Sequence, residues 1–291
     1  MSKIVLLGAS GYIGQQFAQE LIRRDIQFFE IHRNIINYYD PDVLFNFLET
    51  YQPDFLINCA GWAGQPTNRD QQTNTYIANT ILPKVLSEAC GATTTPRGHV
   101  SSGCIFHGQK KDGTPFNEED ETDCCLNNPY YSLYNATKAE GERMIKAVGR
   151  DYYIWRLRMP FDEFDHPKNY ISKLLYKYDK LYDSPENSIC HRGDFVSACL
   201  DIWLNKCDYG IYNVVNSGSV TAREVIEKIN KNPALSKSFD FFKTEKEFYK
   251  FGAKAPRSNC ILDNSKLISS GINIRHVHEA LEKSIENWKK Q

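Results

Sequence analysis

Short apolar runs alternate with amphipathic stretches through the first half of the chain. Lys3–Leu7 is a β-type run that stops at a glycine-rich turn, and Ile13–Arg24 follows as a helix with apolar Phe17, Leu21 and Ile22. Phe28–Ile31 predicts a second strand, Asp40–Tyr51 a second helix, and Asp54–Cys59 a third strand running into Ala60-Gly61. The spacing predicts a longer helix over about Thr73–Cys90, kinked at Pro83 because proline lacks an N–H. Val100–Ser102 ends a fourth strand, Tyr131–Val148 reads as a helix, and Tyr153–Leu157 as a fifth strand.

Strands separated by helices imply parallel βαβ units with helices on both faces. The expected fold is α/β: a Rossmann-like, doubly wound parallel sheet with a smaller C-terminal substrate-binding lobe. In such sheets ligands bind beyond the carboxyl ends of the strands, where Gly8, Ala60, Ser102 and Arg158 all fall. The second half is less regular. Ile171–Tyr178 reads as a helix, Phe195–Leu204 as a helix after Asp194, and Ile211–Val215 as a strand. Thr221 and Glu224 have capping-box spacing, and a last helix runs from about His278 to Lys289. Residues 1–160 are expected to form the dinucleotide-binding domain, with segments near 190–216 returning to it, and 161–291 mainly the substrate lobe.

Bulk composition narrows the classes. The 291 residues are 41% apolar and 24% charged with a formal net charge of -1, ordinary for a globular protein. No basic field is available for nucleic acid, and no apolar stretch is long enough to span a bilayer. The first strand starts at Lys3, which leaves no room for a leader peptide, so a cytoplasmic location is expected. Nine cysteines, without Cys-x-x-Cys or zinc-finger spacing, point to a reducing compartment and to no metal site.

Gly8-x-x-Gly11-x-x-Gly14 lies between a strand and a helix, the context in which this motif cradles a pyrophosphate. Ser10, Tyr12 and Ile13 of the same turn are expected contacts. Arg33 stands after the second strand, where a cation would accept a 2′-phosphate; the alternative is a solvated loop charge. NADP(H) is therefore the expected cofactor, lying also against the small strand-end residues Cys59, Ala60 and Gly61.

Tyr134 and Lys138 are one helical turn apart and share a face. A neighbouring cation favours phenolate, and the phenol can pass a proton to a carbonyl oxygen. Lys138 can also hold the nicotinamide ribose, and Ser102 can polarise a ketone. Cys104 is either a base or a small buried hydrophobe, and Trp62 either lies along a sugar or caps the core.

These residues, with Asn58-Cys-Ala-Gly61, Ser102-Gly-Cys-Ile-Phe106, Arg156-Leu-Arg-Met-Pro160, Asn169-Tyr-Ile-Ser-Lys173 and Ala255-Pro-Arg-Ser-Asn259, carry a family resemblance. The chain resembles the extended short-chain dehydrogenase/reductases, and within them the dTDP-4-dehydrorhamnose reductase family. More closely, it resembles the bifunctional UDP-4-keto-6-deoxy-glucose 3,5-epimerase/4-reductases. Its Ser-x-Cys spacing is also similar to that of GDP-fucose synthase. The resemblance implies Cys104 and Lys173 as the epimerase base and acid, and Arg257 and Asn169 as diphosphate contacts. It further implies a nucleotide-sugar substrate, UDP-linked by preference, and a homodimer formed through the helices near 73–90 and 131–148. Gln65-Pro66 stands where an Arg-Pro pair is usual, and Gly103 replaces an acidic or polar residue. The competing readings are a reductase without epimerase activity and, from a different class, a non-catalytic subunit that binds NADP.

Overall fold

The computed structural model describes residues 3–183, 185–253 and 255–289. Its strands in chain order are β1 (Lys3–Leu7), β2 (Gln27–Ile31), β3 (Phe55–Asn58), β4 (Arg97–Ser102) and β5 (Tyr152–Leu157), then the two-residue strands β6 (Pro160–Phe161), β7 (Lys180–Leu181) and β8 (Cys190–His191), then β9 (Gly210–Asn213) and β10 (Asp240–Phe241). Six of them make one parallel sheet in the order β2-β1-β3-β4-β5-β9, while β6 pairs with β8 and β7 with β10.

Alternation along the strands feeds two cores. Ile4, Leu6, Phe55, Ile57, Tyr153 and Trp155 point to one face, where Phe17 and Leu21 of α1 (Tyr12–Arg23) also pack. Val5, Leu7 and Leu56 point to the other, with Leu44 and Leu48 of α2 (Pro41–Tyr51). Burial on both faces explains why these strands read as near-continuous apolar runs. The order of connections reverses between β1 and β3, which opens a crevice at their carboxyl ends. Register places Leu7 beside Asn58 and Ser102 beside Leu157, so Gly8, Cys59, Gly103 and Arg158 leave the sheet along one edge.

The expected single helix over about Thr73–Cys90 is instead three segments. Asn68 caps α3 (Arg69–Tyr76), a π-helical turn occupies Ile77–Ile81, and α4 (Leu82–Ala92) continues. The Leu82 N–H bonds back to the Ile77 carbonyl five residues earlier. The wider turn absorbs Pro83, which has no N–H to offer, without a break. It also brings Asn79 inward, where its side chain accepts from Trp62 N (2.9 Å) and donates to Trp62 O (3.1 Å).

After α5 (Leu133–Val148) and β5, the chain builds the second lobe from α6 (Tyr170–Tyr176), α8 (Ala222–Asn230) and α11 (Val277–Glu286). Phe161, Ile171, Leu174, Val225 and Leu281 form its core. The Thr221–Glu224 capping box is present in both directions. Between these pieces, α7 (Arg192–Leu204) and β9 return to the sheet. Two short helices are absent from the hydrophobic pattern. α9 (Glu245–Phe251) buries no residue and α10 (Ser265–Ser269) buries only Leu267, so neither leaves an apolar stripe to read.

Candidate active site

At the β1–β3 crevice, Gly8 has φ +78°, and a Cβ on it would lie 2.5 Å from Ala60 N. A Cβ on Gly14 would lie 2.0 Å from the Gly8 carbonyl oxygen. Only glycine keeps strand, turn and helix this close. Gly11 is the N-cap of α1 and offers no side-chain cap, so the first-turn amides, with the exposed Ser10 and half-buried Ile13 around them, remain for an anion. This cradle fits a dinucleotide pyrophosphate. Tyr12 departs from expectation. Its ring is buried, stacked on His166 (4.5 Å) and under the Arg192 guanidinium (4.4 Å). Only its backbone is left for a ligand.

Arg33 is exposed just past β2 and makes no ion pair among the described residues, whereas Glu30 is engaged by His32 at 3.2 Å. Its charge bears on Tyr38 and Tyr39. At the end of β3, Ala60 N donates to Asn58 Oδ1 (3.0 Å), Cys59 is partly buried, and Gly61 is exposed with Lys138 Nζ close behind it. A thiol at Cys59 is held protonated by burial.

The reaction centre forms where β4 meets α5. Ser102 ends β4, and its hydroxyl accepts from Cys104 N (3.2 Å). Tyr134 occupies the first turn of α5, which Ser132 caps. Burial pushes its phenol up to about 12; negative charge at Cys104 adds to this and the Ser102 hydroxyl opposes it. Lys138 is not among the groups that shift the phenol. Lys138 Nζ is buried, donates to Val100 O (2.7 Å) and lies 3.3 Å from His99 Nε2. Cys59 and Gly61 lie on the same side of it. Burial pushes Lys138 down to about 8, opposed by Glu142 and Cys59. Asn58, whose oxygen is taken by Ala60 N, turns its amide to His99 Nδ1 (3.0 Å). Beneath these, buried Glu142 joins Ser101 Oγ (2.5 Å) and Arg156 (2.9 Å), fixing β4, β5 and α5 together.

Cys104 sits in a 3₁₀ turn (Gly103–Ile105), half-buried, with Arg158 Nη1 donating to its sulfur at 3.3 Å. Gly103 has no room for the usual polar side chain. A Cβ there would meet Leu262 at 2.5 Å and the Arg158 stem at 3.4 Å. Lys173, on α6, faces the same space. Burial pushes its ammonium down to about 8, Lys177 and Arg257 repel it further, and Cys104 opposes them. Arg257 is exposed on a segment laced to the site. Ser258 Oγ donates to Cys104 O and accepts from Asn135 Nδ2, both at 2.7 Å, and Gly108 N donates to Asn259 O at 2.7 Å.

The structure thus brings Ser102, Cys104 and Tyr134 together, with Lys173 within electrostatic reach of Cys104 and Arg257. Trp62 is half-buried on the neighbouring loop, its backbone gripped by Asn79. Asn169 is not available to a diphosphate. It is fully buried, donates to Asp162 O, Asp162 Oδ1 and Phe164 O (2.7–2.9 Å), and accepts from Ile171 N (2.9 Å) as the N-cap of α6. Two residues of the site escaped the sequence reading. His99 stands just before Val100–Ser102, the predicted end of the fourth strand, and was not singled out. Arg158 was placed at a strand end but given no role, although an arginine directly after the apolar run of β5 was a signal that it faces something polar.

Comparison with known proteins follows this geometry. The family model described as RmlD substrate binding domain matches residues 2–290. The chain is 25% identical over 296 residues to the trifunctional UDP-glucose 4,6-dehydratase/UDP-4-keto-6-deoxy-D-glucose 3,5-epimerase/UDP-4-keto-L-rhamnose-reductase of Arabidopsis thaliana, covering 97% of this chain but only 41% of that protein. The UDP-rhamnose synthase from Acanthamoeba polyphaga mimivirus superposes with a TM-score of 0.86 at 22% identity, over 98% of this chain and 99% of that one. The dTDP-4-dehydrorhamnose reductase from Bacillus anthracis, solved in complex with NADP, gives 0.79 at 18% identity over 99% of each.

Proposed function

Since the chain belongs to the RmlD substrate binding domain family, we propose that it converts UDP-4-keto-6-deoxy-D-glucose to UDP-L-rhamnose, inverting C3 and C5 and then reducing the C4 ketone. The coarser part, a nucleotide-sugar 4-keto reductase fold with a nicotinamide cofactor, follows from the family and the glycine cradle. The finer part is supported by one observation: a thiol in contact with a guanidinium lies within electrostatic reach of Lys173, whose ammonium burial pushes down to about 8. A reductase alone has no use for that pair.

Gly8, Gly11 and Gly14 would seat the pyrophosphate of NADP(H), Arg33 would meet the 2′-phosphate, and Lys138 would hold the ribose below Gly61. When bound, the cofactor supplies the hydride for C4. Arg257 orients the substrate diphosphate, as guanidinium suits phosphate, and Trp62 lines the sugar. With the C4 oxygen held by Ser102, the hydrogens at C3 and C5 are acidic. Cys104 removes them and Lys173 returns protons to the opposite face. Tyr134, protonated at neutral pH because burial holds its proton, then donates to the C4 oxygen as the alcohol forms. Pairing of two copies is proposed through the outer surface of α3–α4 and α5, where Tyr76 and Ile81 are exposed.

The test supplies UDP-4-keto-6-deoxy-D-glucose and NADPH, follows nicotinamide absorbance, and identifies the product by NMR. UDP-L-rhamnose is expected. A product reduced at C4 with C3 and C5 unchanged would leave a plain reductase.

A further inference from the structure

Arg158 is 1% exposed, yet it has no carboxylate partner among the described residues. Of the other buried arginines, Arg156 pairs with Glu142 at 2.9 Å and Arg192 with Asp162 at 2.6 Å, while Arg97 donates to Ser87 Oγ and to the Arg150 and Gly149 carbonyls and faces no thiol in contact. Arg158 instead donates to the Asn187 side-chain oxygen, to Ser258 O (2.7 Å) and to Cys104 Sγ (3.3 Å), and its Nε has no partner. A guanidinium stays charged in a protein, and a buried charge without a counter-charge is strongly unfavourable. Of its partners, only the sulfur can become an anion.

We propose that Arg158 is the fixed counter-ion of a Cys104 thiolate, so that the proton acceptor for C3 and C5 is this ion pair and not a free thiol. The inference deepens the function proposed above and rests on its use of Cys104 as the base. The groups that bear on the sulfur are Arg158 just past β5, Lys173 from α6, Tyr134 from α5, and Cys124 and Cys260 from flanking loops. Arg158 and Lys173 are cations and favour the anion. Burial keeps Tyr134, Cys124 and Cys260 protonated, so none competes for the charge. The negative sulfur in turn helps Tyr134 keep the proton it later donates.

The step balances. The thiolate takes H⁺ from C3 or C5, the C–H electron pair passes into an enolate with its charge on the C4 oxygen, and the sulfur becomes S–H. The Lys173 ammonium gives H⁺ to the opposite face of that carbon, the enolate reverts to the ketone, and lysine is left as the amine. Transfer of H⁺ from thiol to amine through water restores both groups. Arg158 stays charged throughout. Asn187 and Ser258 hold it in place while its counter-charge is briefly lost.

The test is the pH profile of Cys104 alkylation by iodoacetamide, read peptide by peptide by mass spectrometry, without substrate. Arg158→Gln should move the midpoint of the profile up from that of the wild type by about one pH unit or more, with Arg158→Lys between. Thiolate absorbance of the wild type minus that of Cys104→Ser gives the same quantity should Arg158→Gln not fold. A profile unmoved by the Arg158 substitutions overturns the ion pair. Solvent deuterium at C3 and C5 is measured in parallel. Label with an Arg158-independent profile refutes only the ion pair, and an Arg158-dependent profile without label refutes the epimerase reading and leaves the ion pair standing.

Discussion

Replacing Asn169 with Ala separates a scaffold from a ligand contact. The side chain caps α6 through the Ile171 N–H, and its amide satisfies the buried carbonyls of Asp162 and Phe164. Asp162 Oδ1 retains a second donor, Phe164 N at 3.1 Å, so it is not orphaned. Loss of the cap costs about 1 kcal/mol and each lost carbonyl bond about 1 kcal/mol, more if the carbonyl stays dry, for a total of roughly 3–4 kcal/mol. A domain of this size has about 5–15 kcal/mol in hand, so the variant folds with a melting point lower by about 10 °C. The assay is a thermal melt paired with calorimetric titration of UDP below the transition. The Tm should fall by about that amount, with UDP affinity within about threefold of wild type. An unchanged Tm with a tenfold or greater loss of affinity would refute the reasoning and return Asn169 to the diphosphate.

The remaining predictions follow from single distances or charges. Gly8→Ala places a Cβ 2.5 Å from Ala60 N at a positive φ, so NADPH binding, followed by cofactor fluorescence, should weaken at least about tenfold; unaltered binding would move the cofactor elsewhere. Arg33→Ala should lower the NADPH-over-NADH preference in kcat/KM by about tenfold and leave NADH turnover nearly unchanged, and equal loss with both cofactors would make Arg33 merely structural. Lys173 acts as an acid only when protonated and is held at about 8, so label exchange at C3 and C5 should decline above that pH, to about a tenth by one unit higher. An exchange rate that keeps climbing through this range would exclude Lys173 as the acid.

The sheet was legible because strands buried on both faces leave long apolar runs, and helices with one buried stripe leave their period. Lys3–Leu7 and Tyr153–Leu157 are located by that pattern alone. The π turn at Ile77–Ile81 was not, because Pro83 signals a kink but does not say how neighbouring backbone absorbs it. The glycine turn and Ser102, Tyr134 and Lys138 were readable as types in order. Direction was not: Lys138 reaches Val100 and His99, Tyr12 turns into the protein, and Asn169 spends its amide on backbone. Those outcomes depend on contacts between residues far apart in the chain. The same holds for Arg158, whose meaning appears only when Cys104, Asn187 and Ser258 surround it without a carboxylate.

The most direct measurement is deuterium incorporation from D2O into UDP-4-keto-6-deoxy-D-glucose by the intact protein, first without NADPH and then with it. The account predicts label at both C3 and C5 in the absence of reductant, and doubly labelled UDP-L-rhamnose once NADPH is added. Reduction that proceeds with neither position labelled would contradict it.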